Sequence, residues 1–301
     1  MLSAPHEVLQ QLADALPKEM HGDVIIVGSL AAAVRFFPPD DRLSVRTKDI
    51  DCLLSPRLRA LAAGMRATET LMAHGWRLRP DERWGEPGHA GTSEAELPLV
   101  RLMPPQGGEW FLELLSAPSI GQTAAREFQR LETRHGHFAL CSFRFLALAE
   151  LDPLQMSSPL KIARPEMMAL ANLLHHPTVG AETMTGLIGD RRIKRANKDL
   201  GRVLALAYLA ERENQRALES WSAQWMQALQ TTFPEERKDL QSNIGKGLEE
   251  LLSESHENDL EEAHHTCIAG LLAEYRTSLQ AFRATGQRLI AEVIQPVREG
   301  L

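Results

Sequence analysis

Two aspartates separated by one isoleucine stand inside an apolar run, "TKDIDCLL" at residues 47–54, and that run constrains the fold more than any other stretch of the chain. In a strand, alternate side chains share a face, so Asp49 and Asp51 project together while Ile50 and Cys52 point into the opposite layer. Two neighbouring carboxylates repel each other unless one takes up a proton or a divalent cation lies between them. The pair therefore reads as a metal-binding edge on a hydrophobic sheet. Ahead of it, "DVIIVG" (23–28) reads as a strand that stops at Gly28, and "SLAAAVRFF" (29–37) as a helix capped by Ser29 and ended by "PPDD". Gly28 lets the backbone approach a ligand closely, and the helix after it offers free N–H groups and a positive dipole end to a phosphate.

A third acid is available downstream. Glu113 lies in the apolar strand of "EWFLELLS" (109–116), where burial without a partner is costly, and a strand beside "DIDCLL" would bring it alongside the pair. Glu109, the nearest competitor, falls at the loop end of that strand. Two-metal displacement at phosphorus needs such a third carboxylate, and magnesium accepts one or two carboxylates with phosphate oxygens and water.

The remaining periodicity predicts a helix over 6–17, a second in "RLRALAAGMRATETLMAHG" (57–75), a short strand at "WRLRP" (76–80) and a long loop over 81–97. "PLVRLM" and "EWFLELL" form a hairpin across "PPQGG", and "HFALCSF" (137–143) and "FLALAELD" (145–152) are short apolar segments. Beyond residue 160 nearly every segment has period 3.6. Helices are expected at about 165–176, 190–212, 215–231, 235–254 and 258–294, the last broken near Gly270 or Gly286. In the second of these, Arg191, Arg195, Lys198 and Arg202 make a basic stripe, with Ile193, Ala196, Leu200, Val203 and Ala207 opposite. The pairs His175-His176 and His264-His265 diverge on a helix, so neither chelates a metal alone.

With 301 residues the chain has room for two domains. Its net charge is −7 and neither half is basic, which argues against a general duplex-binding surface. Five Trp and two Tyr leave few aromatics for stacking single-stranded bases. Three scattered cysteines without CxxC spacing argue against a disulfide framework and for a reduced, cytoplasmic setting. No secretory signal or run of membrane-spanning length is visible, so a membrane is not an expected partner.

"VGS" followed by "TKDIDCLL" and a later strand acid resembles the nucleotidyltransferase superfamily related to DNA polymerase beta. The resemblance implies an α+β fold: a nucleotidyltransferase domain with a small mixed β-sheet over 1–158, then an all-helical domain over 159–301 that completes the nucleotide and acceptor cleft. It implies two magnesium ions, with manganese as a substitute, on Asp49, Asp51 and Glu113. It also implies transfer of a nucleoside monophosphate from an NTP to a hydroxyl of a tRNA, a protein or a small molecule. "ARPEMMALANLLHH" with "RRIKRANKDLGRVLALAYL" is similar to the helical half of AbiEii-type bacterial nucleotidyltransferases, the toxins of type IV toxin–antitoxin pairs, and of a related bacterial group. That likeness implies nucleotide binding by Gly28, Ser29, Arg195, Lys198 and Asp199, and a cognate antitoxin as partner. The family's lysine on the first of these helices is replaced here by Asn172. An alternative reading is a catalytically inactive relative that binds nucleotide or a partner protein.

Overall fold

Val24, Ile25, Ile26 and Val27 are all buried and form β1 (Val24–Val27) in a computed structural model of the chain, which describes residues 4–39, 45, 47–80, 85–107, 110–118, 124–188 and 191–300. Before it lies α1 (Pro5–Ala15), which starts on a proline and buries Val8, Leu9 and Leu12 along one side. After it, α2 (Gly28–Phe36) runs directly from the strand end, with Leu30, Ala31, Ala33 and Val34 buried. This helix begins at Gly28, so Ser29 lies within its first turn and is not the cap that the sequence suggested.

The next strand, β2 (Asp49–Leu54), pairs antiparallel with β1 in a register that sets Val27 opposite Asp51. Its burial alternates at the start as expected. Asp49 and Asp51 are half-buried, whereas Ile50 and Cys52 are fully enclosed. Burying a side chain such as Ile50 or Leu54 contributes about 2 kcal/mol, which fixes the register and hence the face on which the acids stand. Helix α3 (Ala60–Ala73) packs its small residues Ala60, Ala63, Gly64 and Ala67 inward. A Cβ at Gly64 would sit 3.1 Å from Leu54 and 3.3 Å from Leu131, so the helix rests on the sheet face opposite the acids.

The sheet continues with β3 (Arg77–Leu78), β4 (Arg101–Met103), β5 (Phe111–Ser116), β6 (Arg126–Thr133), β7 (Gly136–Phe143), β8 (Leu154–Gln155) and β9 (Lys161–Ile162). The strand order is β3-β4-β5-β2-β1-β9-β8, with β7 paired to β5 and β6 to β7. β2 and β5 run parallel, as do β1 and β9 and β5 and β7, while the other pairs are antiparallel. This is a mixed sheet of nine strands, larger than the small sheet expected. The apolar segment "FLALAELD" lies largely in a 3-10 helix at Arg144–Glu150.

The chain divides into two compact units, Met1–Arg35 with Thr47–Ala163, and Phe36–Arg46 with Arg164–Leu301. Because β9 pairs with β1, the polypeptide stays with the sheet through Ala163. The second unit contains α4 (Pro165–His175), β10 (Thr183–Ile188), β11 (Arg191–Lys194), α5 (Arg195–Glu213), α6 (Trp221–Thr232), α7 (Arg237–Asn243), α8 (Lys246–Leu252), α9 (Glu257–Ala269), α10 (Leu279–Leu289) and α11 (Gln295–Glu299).

The antiparallel β10–β11 hairpin corrects the expectation of an all-helical second domain. Gly180 and Gly186, together with Thr183, Thr185 and Ile188, make this stretch a poor helix and a better strand pair. The helix expected from 190 consequently starts at Arg195, and Arg191 sits on a strand, outside the stripe assigned to it. Gly245, at φ +78°, separates α7 from α8 where one helix over 235–254 was expected. The core of this unit is built on α5, which buries Ala196, Leu200, Val203, Leu204 and Ala207, and on Trp225, whose indole N–H donates to the Glu166 carbonyl at 2.9 Å. Among the described residues no helix is long and apolar enough to cross a membrane.

Candidate active site on the mixed sheet

The residues quoted for the resemblance in the first unit converge. Because β2 and β5 are parallel and in register, Asp51 is the direct neighbour of Glu113, and Asp49 of Phe111. Adjacent strands lie about 4.8 Å apart, and register partners share a face, so the three acids form one patch. Gly28 closes this patch from the β1 side. It has φ +73°, and a Cβ built on it would lie 2.6 Å from Asp51 Oδ2. The Asp51 carboxylate therefore rests against the bare backbone at the start of α2, which is possible only with glycine there.

Each acid is differently held. The Thr47 hydroxyl donates to Asp49 Oδ1 at 3.0 Å. Glu113 meets Arg101, its direct partner across the β4–β5 pair, in a two-point ion pair: Nε to Oε2 at 2.9 Å and Nη2 to Oε1 at 3.2 Å. The Glu113 side chain is only 12% exposed and that of Arg101 32%, so both bonds are sheltered from water and stronger than surface contacts. A second guanidinium lies beside it. Arg79 is stacked 4.2 Å over the Phe111 ring, and its backbone N–H donates to the Arg101 carbonyl at 2.8 Å. The sheet face thus carries three carboxylates and a rim of two arginines; Arg79, Arg101 and Phe111 were not singled out from the sequence.

An oxygen donor set of this kind suits a hard divalent cation, and Asp49 and Asp51, half-buried on one strand face, fit that role. Among the described residues no three His, Cys, Asp or Glu side chains form a ready-made metal-binding group. Glu113 as it stands gives both oxygens to Arg101. Glu109 lies outside the described residues.

Cysteine chemistry has no part in the site. Burial, and secondarily the charge of Asp51, pushes the Cys52 thiol well up. Burial likewise raises Cys141, against the lowering influence of Arg126, and pushes Cys267 up to about 12. A thiol reagent at about pH 7.5 is expected to modify none of the three cysteines in the native protein and all three after unfolding; rapid native labelling at Cys52 would show that β2 opens readily.

The other predicted residues lie on α5 in the second unit. Arg195 pairs with Glu182 at 3.1 Å, the side chain of Glu182 being largely exposed. Lys198 is half-buried. Asp199 is bonded to His176, Nε2 to Oδ2 at 2.9 Å, and lies 3.8 Å from Arg202. Burial would push its carboxyl up, but the His176 bond and the charges of Lys198 and Arg202 outweigh this and hold it well below the usual carboxylate range. His176 is thus the partner of a sheltered acid, and His264 donates from its Nε2 to the Thr277 carbonyl oxygen at 2.8 Å. No protein-family model, curated protein or solved structure matches this chain.

Proposed function

We propose that the chain is a metal-dependent nucleotidyltransferase that moves a nucleoside monophosphate from an NTP to an acceptor hydroxyl. The observation that carries this reading is the placement of the Asp51 carboxylate against Gly28, with Asp49 on the same face and Glu113 in register on the parallel neighbour. Bound magnesium or manganese would supply Lewis-acid polarisation of the phosphoryl group and acidify the attacking hydroxyl. Asp49 and Asp51 are the residues that would hold it. The first-turn N–H groups of α2 and the Ser29 hydroxyl donate to triphosphate oxygens. A new P–O bond forms between the acceptor oxygen and the α-phosphorus, the bond to the bridging oxygen breaks, and pyrophosphate leaves with that electron pair. Glu113, once released from Arg101, would aid deprotonation of the acceptor hydroxyl.

The experiment is incubation of the protein with α-labelled NTP, magnesium and cell extract. Label should pass to an RNA, protein or small-molecule fraction and be lost with Asp49→Ala plus Asp51→Ala, whose circular dichroism stays native. Absence of NTP binding by calorimetry would overturn the reading. The Arg101–Glu113 pair and Asn172 favour a second reading, nucleotide binding without transfer, and this predicts a calorimetric signal with no labelled product. A toxin with a cognate antitoxin remains the finer form of the first reading.

A further inference from the structure

We propose that Arg126 and Phe128 form a platform for single-stranded nucleic acid, the ring and the guanidinium plane receiving unstacked bases and the open guanidinium nitrogens receiving a phosphate. The proposal stands without a metal ion and without nucleotidyl transfer. β6 pairs with β7 in a register that sets Phe128 beside Cys141, and Cys141 lies beside Leu115 on β5. Leu115 is two residues on from Glu113, so Arg126, Phe128 and Glu113 stand on one face of the sheet. Beyond burial, the charges of Arg126, Glu113 and Arg101 all act on the Cys141 thiol, which is what a shared face produces.

Phe128 is 42% exposed on a face where Phe111 and Leu115 are covered. Arg126, itself exposed, lies 4.7 Å over the Phe128 ring and 5.4 Å over that of Phe143. Its Nε donates to Cys141 Sγ at 3.2 Å, and among the described residues no carboxylate pairs with it, which leaves both Nη nitrogens to a ligand. Arg130, the next residue along that face, is by contrast engaged: it donates to the carbonyls of His89 at 3.4 Å and Thr92 at 2.5 Å. An unpaired guanidinium laid on an aromatic ring offers a fork for phosphate and a flat surface for a base together. Trp and Tyr are scarce in this chain, but the ring offered here is a phenylalanine, which stacks bases as well. A duplex keeps its bases stacked on one another and cannot use such a surface. Arg79 repeats the arrangement, 4.2 Å over Phe111 and without a carboxylate partner among the described residues. Phe111 lies about 13 Å along β5 from Leu115, and Phe128 about 10 Å across the sheet from Leu115. A short strand spans both arginines where a lone mononucleotide does not, so the occupant is an oligonucleotide.

The test is fluorescence anisotropy of end-labelled oligoadenylate of about ten nucleotides, as RNA and as DNA, without divalent cations. Wild type should bind one or both single strands, and should bind the duplex made with the complementary strand at least about tenfold more weakly. Phe128→Leu should raise Kd by about tenfold or more, because it keeps an apolar strand residue but removes the stacking face. Arg126→Gln should weaken binding and also flatten the slope of log K against log salt by about 0.7, the share of one phosphate contact. Arg126→Lys keeps the charge and should restore the slope but not the affinity. No binding of either single strand, a duplex bound as tightly, or wild-type affinity in Phe128→Leu and Arg126→Gln would overturn the platform. Should a variant fail to fold, the single-strand against duplex comparison on wild type decides. NTP calorimetry bears on the nucleotidyltransferase reading alone, so the two fail separately.

Discussion

Replacing Gly28 by alanine should lower the melting temperature of the sheet-bearing unit by about 5 °C and, on the nucleotidyltransferase reading proposed above, cut nucleotide transfer by about a hundredfold. Two independent penalties act at this one atom. The backbone there has φ +73°, where an L side chain costs about 1–2 kcal/mol. The added Cβ would also lie 2.6 Å from Asp51 Oδ2, closer than any real contact allows, so the carboxylate must turn away. Asp51 has a short side chain on a register-locked strand, and turning it displaces the acid from the face it shares with Asp49. A double-mutant cycle separates the terms. If the collision matters, Gly28→Ala combined with Asp51→Ala will be more stable than the sum of the single changes predicts; strict additivity would mean that backbone strain alone operates.

The parts of this site that follow local periodicity were legible in the sequence. Alternation in "DIDCLL" put Asp49 and Asp51 on one face and Ile50 and Cys52 on the other, which is the observed burial. Glu113 was legible as an acid that an apolar strand must accommodate. Its bond to Arg101 was within reach too, because a hairpin folded about Gly107 sets residues 101 and 113 opposite each other. β6 escaped notice because its alternation is mostly polar, "REFQRLET", and only its tight turn into Gly136 marks it as half of a hairpin. The β10–β11 hairpin was hidden for the opposite reason: the basic residues of its second strand continue the helical spacing of α5, which carried the expected helix back over Arg191–Lys194. The His176–Asp199 bond spans that hairpin and has no periodic signature at all.

That bond leads to the second large effect. Asp199→Asn should destabilise the helical unit by about 3 kcal/mol at neutral pH, because it leaves Arg202 in a sheltered position without its counter-charge and weakens the bond to His176. The side chains of all three are 16% exposed or less, so water does little to compensate. The same acid makes the unit acid-labile in a defined window. Its folded carboxyl titrates well below the unfolded value of about 3.9, so the unfolded chain takes up the proton first as pH falls. The stabilisation is complete above about pH 5 and is lost progressively below it, as the pH drops toward the depressed folded value. Urea unfolding at a series of pH values should therefore show a midpoint that falls below about pH 5 in wild type, and a flatter profile over the same range in Asp199→Asn. Parallel profiles for the two proteins would show that other carboxylates carry the acid sensitivity. Removing His176 as well should cost less than the two single changes together, because an acid and its donor that disappear as a pair leave no orphaned charge between them.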